Sequence, residues 1–166
     1  MEAIGVIPVR YGSRRFPGKA LADIQGKPMI QHVWERANKA LLLDQVIIAC
    51  DEERVFDVAR DFGANCTMTA KGHLSGSDRI TEIVSPLDVK VVVNIQADEP
   101  LIEPVMIDCL AEALIRDNSI YMATLIKQIE DIKEIDNPNI VKVVVDKNNF
   151  ALYFSRAAIP YRARDI

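Results

Sequence analysis

An apolar run with strand character, Ala3–Val9, opens directly into a loop of glycines and cations, and this junction constrains the fold more than any other feature. The loop packs Arg10, Arg14, Arg15 and Lys19 around Gly12, Ser13 and Gly18. Glycine lets backbone amides approach a ligand closely, and successive N–H groups in a turn make an anion-binding concavity. Cations around such a concavity suit a polyphosphate, which accepts charge-assisted bonds from several directions. A solvated basic turn has the same composition. The preceding strand, with Pro17 and Lys19 in register with the glycines, favours the phosphate site. It is not a Walker A loop: five residues separate Gly12 from Gly18, and Ala20 stands where Ser or Thr would hold magnesium.

Beyond the loop, strand and helix patterns alternate. A helix is expected over residues 28–42, with Pro28 in its first turn and Ile30, Val33, Trp34, Ala37 and Leu41 on one buried face. Residues 46–50 read as a second strand, and Asp51 as the cap of a helix reaching Phe62. Asn65–Met68 reads as a short third strand, and residues 77–84 as a short helix. Residues 89–95 are nearly all β-branched, as in a central strand buried on both faces. Pro104–Arg116 then reads as a helix and residues 121–126 as a strand. Residues 140–145 and 150–154 flank Asp146-Lys147-Asn148-Asn149, a hairpin turn by composition. The pattern predicts one α/β domain over residues 1–166, with a mostly parallel sheet, helices on both faces and a small antiparallel hairpin.

The 166 residues suffice for a sizeable core, and 49% apolar with 27% charged residues is ordinary for a soluble globular chain. A net charge of −4 argues against general nucleic-acid binding. No apolar run is long enough to span a bilayer, and Met-Glu-Ala-Ile lacks a signal-peptide layout, so a cytoplasmic location is expected. Cys50, Cys66 and Cys109 have no zinc spacing and are expected to be buried small hydrophobes.

In parallel sheets ligands bind beyond the carboxyl ends of strands, near a topological switch point. Four polar loops fall there: the basic loop, Asp51, residues 73–79 and residues 96–100. Asp98 and Glu99 end the strongest strand, and carboxylate oxygens suit magnesium, with Asp98 as the expected ligand. An Asp-Glu-Pro turn capping a strand reads the same way. His73-Leu74-Ser75-Gly76-Ser77-Asp78-Arg79 combines short polar side chains with a glycine before a helix. Ser75 or Ser77 can cap that helix while free amides meet a base edge or phosphate oxygen, and Arg79 offers a planar donor fork. An ordinary N-cap loop fits those residues equally. Arg156, after the aromatic run ending at Phe154, either pairs with a carboxylate substrate or lies on the surface.

Taken together, the sequence resembles the 3-deoxy-manno-octulosonate (Kdo) cytidylyltransferases, or CMP-Kdo synthetases. The resemblance runs from Ile7 to Tyr161. It rests on Ile7-Pro8-Val9-Arg10-Tyr11-Gly12-Ser13 with Arg15 and Pro17-Gly18-Lys19, on Gly26-Lys27-Pro28-Met29-Ile30, and on His73 to Arg79. Further matches are Asn94-Ile95-Gln96 with Asp98-Glu99-Pro100, Met122-Ala123-Thr124-Leu125, Val141-Lys142-Val143-Val144, and Ala151 to Arg156 with Ile159-Pro160.

The resemblance implies a Rossmann-like nucleotidyltransferase that joins CTP to Kdo, releasing pyrophosphate and giving CMP-Kdo for lipopolysaccharide synthesis. By the same resemblance Arg10, Gly12, Ser13, Arg15 and Lys19 hold the phosphates, with Lys19, Arg10, Arg15 and Asp98 acting in catalysis. His73, Ser75, Gly76, Ser77 and Arg79 contact the nucleotide, Asp98 binds Mg2+, and Gln96 with Arg156 faces the sugar acid. Ala97 departs from the family's usual glycine. Family members also continue beyond the position of Ile166, which implies a shortened chain lacking a second metal-binding aspartate, part of the sugar pocket and much of the homodimer contact. Two alternatives stay open: a truncated, non-catalytic CTP-binding module, and a cytidylyltransferase for another sugar acid.

Overall fold

β1, Ala3–Val9, is the strand around which the first part of the chain is laid down, and six of its seven residues are fully buried. A computed structural model describes residues 1–12 and 16–161, in two compact units, Met1–Ala123 and Thr124–Ile166. Ser13, Arg14 and Arg15 of the basic loop lie outside the described residues.

In the first unit a two-residue hairpin, β2 (Asp23–Ile24) and β3 (Lys27–Pro28), leads into α1, Met29–Ala37. β4 (Gln45–Cys50), α2 (Glu53–Asp61), β5 (Asn65–Met68), α3 (Gly76–Val84), β6 (Val91–Asn94) and α4 (Pro104–Arg116) follow. The parallel sheet runs β5-β4-β1-β6. Alternate residues of each strand face opposite ways, so one face of β1 packs Ala3, Ile7 and Val9 under Ile30, Val33, Val55, Ala59 and Ile107 of α1, α2 and α4. The other face packs Ile4 and Val6 under Ile80 and Ile83 of α3. Helices therefore cover both faces, as the strand–helix alternation predicted.

Several details differ from expectation. α1 stops at Ala37 rather than Leu42, because the chain tightens into short i to i+3 turns there, and Leu41 is 89% exposed rather than inward. Asp51 does not cap α2: Glu52 occupies that position, and the Asp51 carboxylate is engaged elsewhere. The β-branched run around β6 is not central; among the described residues β6 pairs with β1 alone, and β1 takes the doubly buried place. Residues 121–126 form no strand, since they meet no ladder partner among the described residues, and Tyr121 and Met122 are open to solvent. Cys50 is buried and Cys66 half-buried, but Cys109 sits on the outer side of α4 and is exposed.

In the second unit β7 (Lys142–Val145) and β8 (Ala151–Ser155) make the expected antiparallel hairpin. Its turn is held by Asp146 Oδ1, which accepts the Asn148 and Phe150 amides at 2.8 Å each. Among the described residues no helix is long and apolar enough to cross a membrane.

Candidate functional site

Because β1, β4, β5 and β6 are parallel, their carboxyl ends share one rim. The chain moves outward from β1 to β4 and β5, then returns to the other side of β1 for β6. The order therefore reverses between β1 and β6, where open parallel sheets bind ligands. Two cavities lie at this rim. The first, about 160 Å3, brings together Arg10, Lys19, Gln96 and Asp98 beside Pro8 and Met29. The second, about 180 Å3, gathers Arg10, His73, Ser75, Gly76 and Arg79 beside the same Pro8. Pro8 and Arg10 are the wall the two cavities share.

The basic loop is closed at its base by the Gly18 amide, which donates to the Tyr11 carbonyl at 3.0 Å. Gly18 is left-handed (φ 72°), and a side chain there would rest against the Tyr11 ring, with a Cβ 3.4 Å from it. Glycine adopts this left-handed backbone without strain. Lys19 follows in a single 3-10 turn, Lys19–Leu21, and its Nζ donates to Asp98 Oδ2 at 2.8 Å. Arg54 of α2 lies over the Tyr11 ring, 5.9 Å from its centroid. This cation near the loop carried no signal in the sequence, because it belongs to a different element.

On the other side, α3 begins with a capping box: Ser75 Oγ accepts the Asp78 amide at 3.1 Å, and Asp78 Oδ2 accepts the Ser75 amide at 2.9 Å. That cap holds the helix N-terminus, whose first-turn amides have no intrahelical acceptors, beside Pro8; a Cβ on Gly76 would come within 3.2 Å of the proline ring. Ser77, in the same turn, is exposed. His73 Nε2 is bonded to the Glu82 carboxylate, which also accepts the Ala70 amide at 3.1 Å. The His73 bond first, and the Ala70 amide second, hold the Glu82 carboxyl below the usual glutamate range. Sequence reasoning missed Glu82 because it lies two turns into α3, away from the loop it supports.

Arg79, expected to present its fork to a ligand, turns inward. It is 2% exposed and pairs with Asp51 at 2.8 Å. Gln96 does reach the first cavity, where its Nε2 donates to Asn94 Oδ1 at 3.0 Å. Arg156 belongs to the second unit, where its Nη1 donates to the Pro138 carbonyl at 2.9 Å. That unit encloses the more spacious cavity, about 630 Å3, but among the described residues its walls are mainly apolar, such as Ile126, Val143 and Phe154, with two lysines and no acid. The polar convergence that chemistry requires is at the rim of the first unit.

Residues 4–166 match the family model described as cytidylyltransferase. The chain belongs to that family.

Among curated relatives, this cytidylyltransferase-family chain is 50% identical over 160 residues to the 3-deoxy-manno-octulosonate cytidylyltransferase of Geobacter metallireducens, covering 96% of the chain and 63% of that protein. It is 51% identical over 160 residues to the enzyme of the same name from Solibacter usitatus, covering 96% of the chain and 64% of that protein. Among solved structures it superposes on a CMP:2-keto-3-deoxy-manno-octonic acid synthetase complexed with CTP, with a TM-score of 0.92, 42% identity, and coverage of 98% of this chain and 67% of that one. A cytidylyltransferase from Leptospira borgpetersenii shares the fold, with a TM-score of 0.63 at 19% identity over 70% of this chain and 50% of that one. The chain spans about 63% of the length of the first curated relative.

Proposed function

We propose that the rim cavities bind CTP and that the protein transfers its cytidylyl group to 3-deoxy-manno-octulosonate, releasing pyrophosphate. The observation that carries this reading is the juxtaposition of Arg10, Lys19, Gln96 and Asp98 at the strand-order reversal, on a fold that superposes at 42% identity on a synthetase complexed with CTP. In the reaction the anomeric hydroxyl of the sugar acid attacks the α-phosphorus and gives up its proton to water. The bond from that phosphorus to the bridging oxygen breaks, and both electrons leave with pyrophosphate. Negative charge grows on the leaving group, so Lys19 and Arg10 act by position and electrostatics rather than covalently. Gly12, Ser13 and Arg15 complete the phosphate loop in this reading. The cavity lined by His73, Ser75 and Gly76 takes the cytidine end, with Ser77 of the same turn as a further nucleotide contact, and Gln96 faces the sugar acid.

A divalent ion, for which Mg2+ is the natural candidate, fits Asp98. Its carboxylate is a hard oxygen donor, half exposed at the first cavity. No group of three acidic, His or Cys side chains gathers among the described residues. Magnesium usually takes one or two carboxylates and completes its shell with water and substrate phosphate, which suits a lone Asp98. When bound, such an ion would neutralise phosphate charge.

Two measurements test the reading: titration calorimetry with CTP and Mg2+, and pyrophosphate release on adding the sugar acid. CTP binding with release is expected. Binding without release would support the non-catalytic module instead, release with a different sugar acid would change the acceptor, and no binding would overturn the reading.

A further inference from the structure

A buried ion pair joins three loops at the carboxyl ends of β1, β4 and β5. Arg79 Nη2 donates to Asp51 Oδ2 at 2.8 Å, and Asp51 is itself 7% exposed. The other carboxylate oxygen, Oδ1, accepts the Tyr11 amide at 3.1 Å. The second arm of the guanidinium, Nη1, donates to Thr69 Oγ1 and, at 3.4 Å, to the Ala70 carbonyl. Thr69 in turn donates to the Cys50 carbonyl at 2.9 Å.

Stability alone is a poor reason for such a pair. Desolvating two charges is costly, and apolar residues of similar volume often hold a fold equally well. A planar fork facing a carboxylate whose two oxygens have different partners does something apolar packing cannot: it fixes direction. The atom fixed here is the Tyr11 amide, between Arg10, which lines both cavities, and Gly12.

We propose that Arg79 is a positioning residue: acting through Asp51, it holds the Tyr11 amide and with it the start of the phosphate loop, and its side chain does not touch the ligand. The inference rests on the reading that this loop takes the triphosphate of CTP. It makes Asp51 and Arg79 one unit, so that loss of either has the effect of losing both.

The test compares wild type with Arg79→Lys, Asp51→Asn, the double variant and Thr69→Val. CTP affinity is measured by calorimetry, and Tyr11 amide hydrogen exchange by NMR without ligand. Each of the two single variants of the pair should bind CTP about tenfold more weakly and exchange the Tyr11 amide about tenfold faster, the scale of one lost hydrogen bond to a charged group. The double variant should be no weaker than the weaker single. Folded variants with wild-type affinity and exchange would overturn the proposal. So would additive losses in the double variant, or an Asp51→Asn protein that binds normally while Arg79→Lys does not, since both outcomes point to direct ligand contact. Thr69→Val keeps both charges in place and guards against variants that fail to fold: about threefold faster Tyr11 exchange supports the clamp, and unchanged exchange defeats it. If wild type binds no CTP, the functional reading fails, and Tyr11 exchange alone then decides whether the clamp exists.

Discussion

Lys19 Nζ lies 2.8 Å from Asp98 Oδ2, so the cation expected at the phosphates and the carboxylate expected at the metal already hold each other. Both side chains are about half exposed, at 42% and 52%. Solvent screening leaves such a pair worth less than about 1 kcal/mol, so it parts at little cost. Until then each charge is kept at the mouth of the first cavity by the other. If the site takes CTP and a divalent ion as proposed, the pair is a placeholder that the triphosphate and the ion replace together.

The placeholder makes the effect of Asp98→Asn depend on metal. Without a divalent ion, removing the carboxylate frees Lys19, and CTP should bind about threefold to tenfold more tightly than to wild type. With Mg2+ present the order should invert, because the ion loses its protein ligand. Parallel calorimetric titrations with Mg2+ and with a chelator check both signs; the same direction in both would refute the exchange.

Lys19→Met separates stability from chemistry. Thermal unfolding should shift by no more than about 2 °C, since the lost pair is exposed. Turnover in a pyrophosphate-release assay should fall about a hundredfold, the scale of removing one donor from developing negative charge. An activity loss accompanied by a large thermal shift would mean that Lys19 holds the fold rather than the leaving group.

Gly18→Ala tests the closure of the basic loop. The left-handed backbone opposes a side chain, although the new Cβ would make only ordinary contact with the Tyr11 ring at 3.4 Å. A loss of about 1 kcal/mol in urea unfolding is expected, together with weaker CTP binding. Unchanged stability would mean that the loop accommodates a side chain there.

How much of this was legible in the sequence depends on whether the signal was local. Ala3–Val9 and the glycines after it carry their own period and backbone demands, so the strand, its loop and the four-loop rim followed directly. Asp51 and Arg79 did not: each looks like a loop or cap residue beside its chain neighbours, and only the fold brings these partners, 28 residues apart, into one buried pair. Residues 121–126 failed for the complementary reason, since β-propensity makes a strand only where another strand accepts its hydrogen bonds. Leu41 continued the helical spacing of α1 past Ala37, but a hydrophobic pattern does not show where the backbone tightens.

The cysteines should differ sharply in reactivity. Cys50 and Cys66 Sγ lie 3.6 Å apart between β4 and β5, and the bond to Cys50, with burial second, pushes the Cys66 thiol up and away from the reactive thiolate. Cys109 is exposed. Iodoacetamide should label Cys109 alone in the folded protein and all three cysteines in denaturant, counted by intact mass. Rapid native labelling of Cys66 would contradict the packing of β5.

Glu82 gives the fold an acid-side dependence whose sign is determined. Its folded carboxyl titrates below the ordinary value of 4.5, chiefly through His73 and then through the Ala70 amide. A carboxyl with a depressed folded pKa contributes stability that is fully present above its unfolded pKa and is lost as pH falls through the folded value. Glu82→Gln removes this contribution, so wild type should be the more stable of the two near neutrality, and the gap should close below the glutamate range. Urea unfolding of both proteins from about pH 6 down to about pH 3 measures that gap. A gap that stays constant through the acid range would mean that the Glu82 side chain supports the His73 loop by packing rather than by its charge.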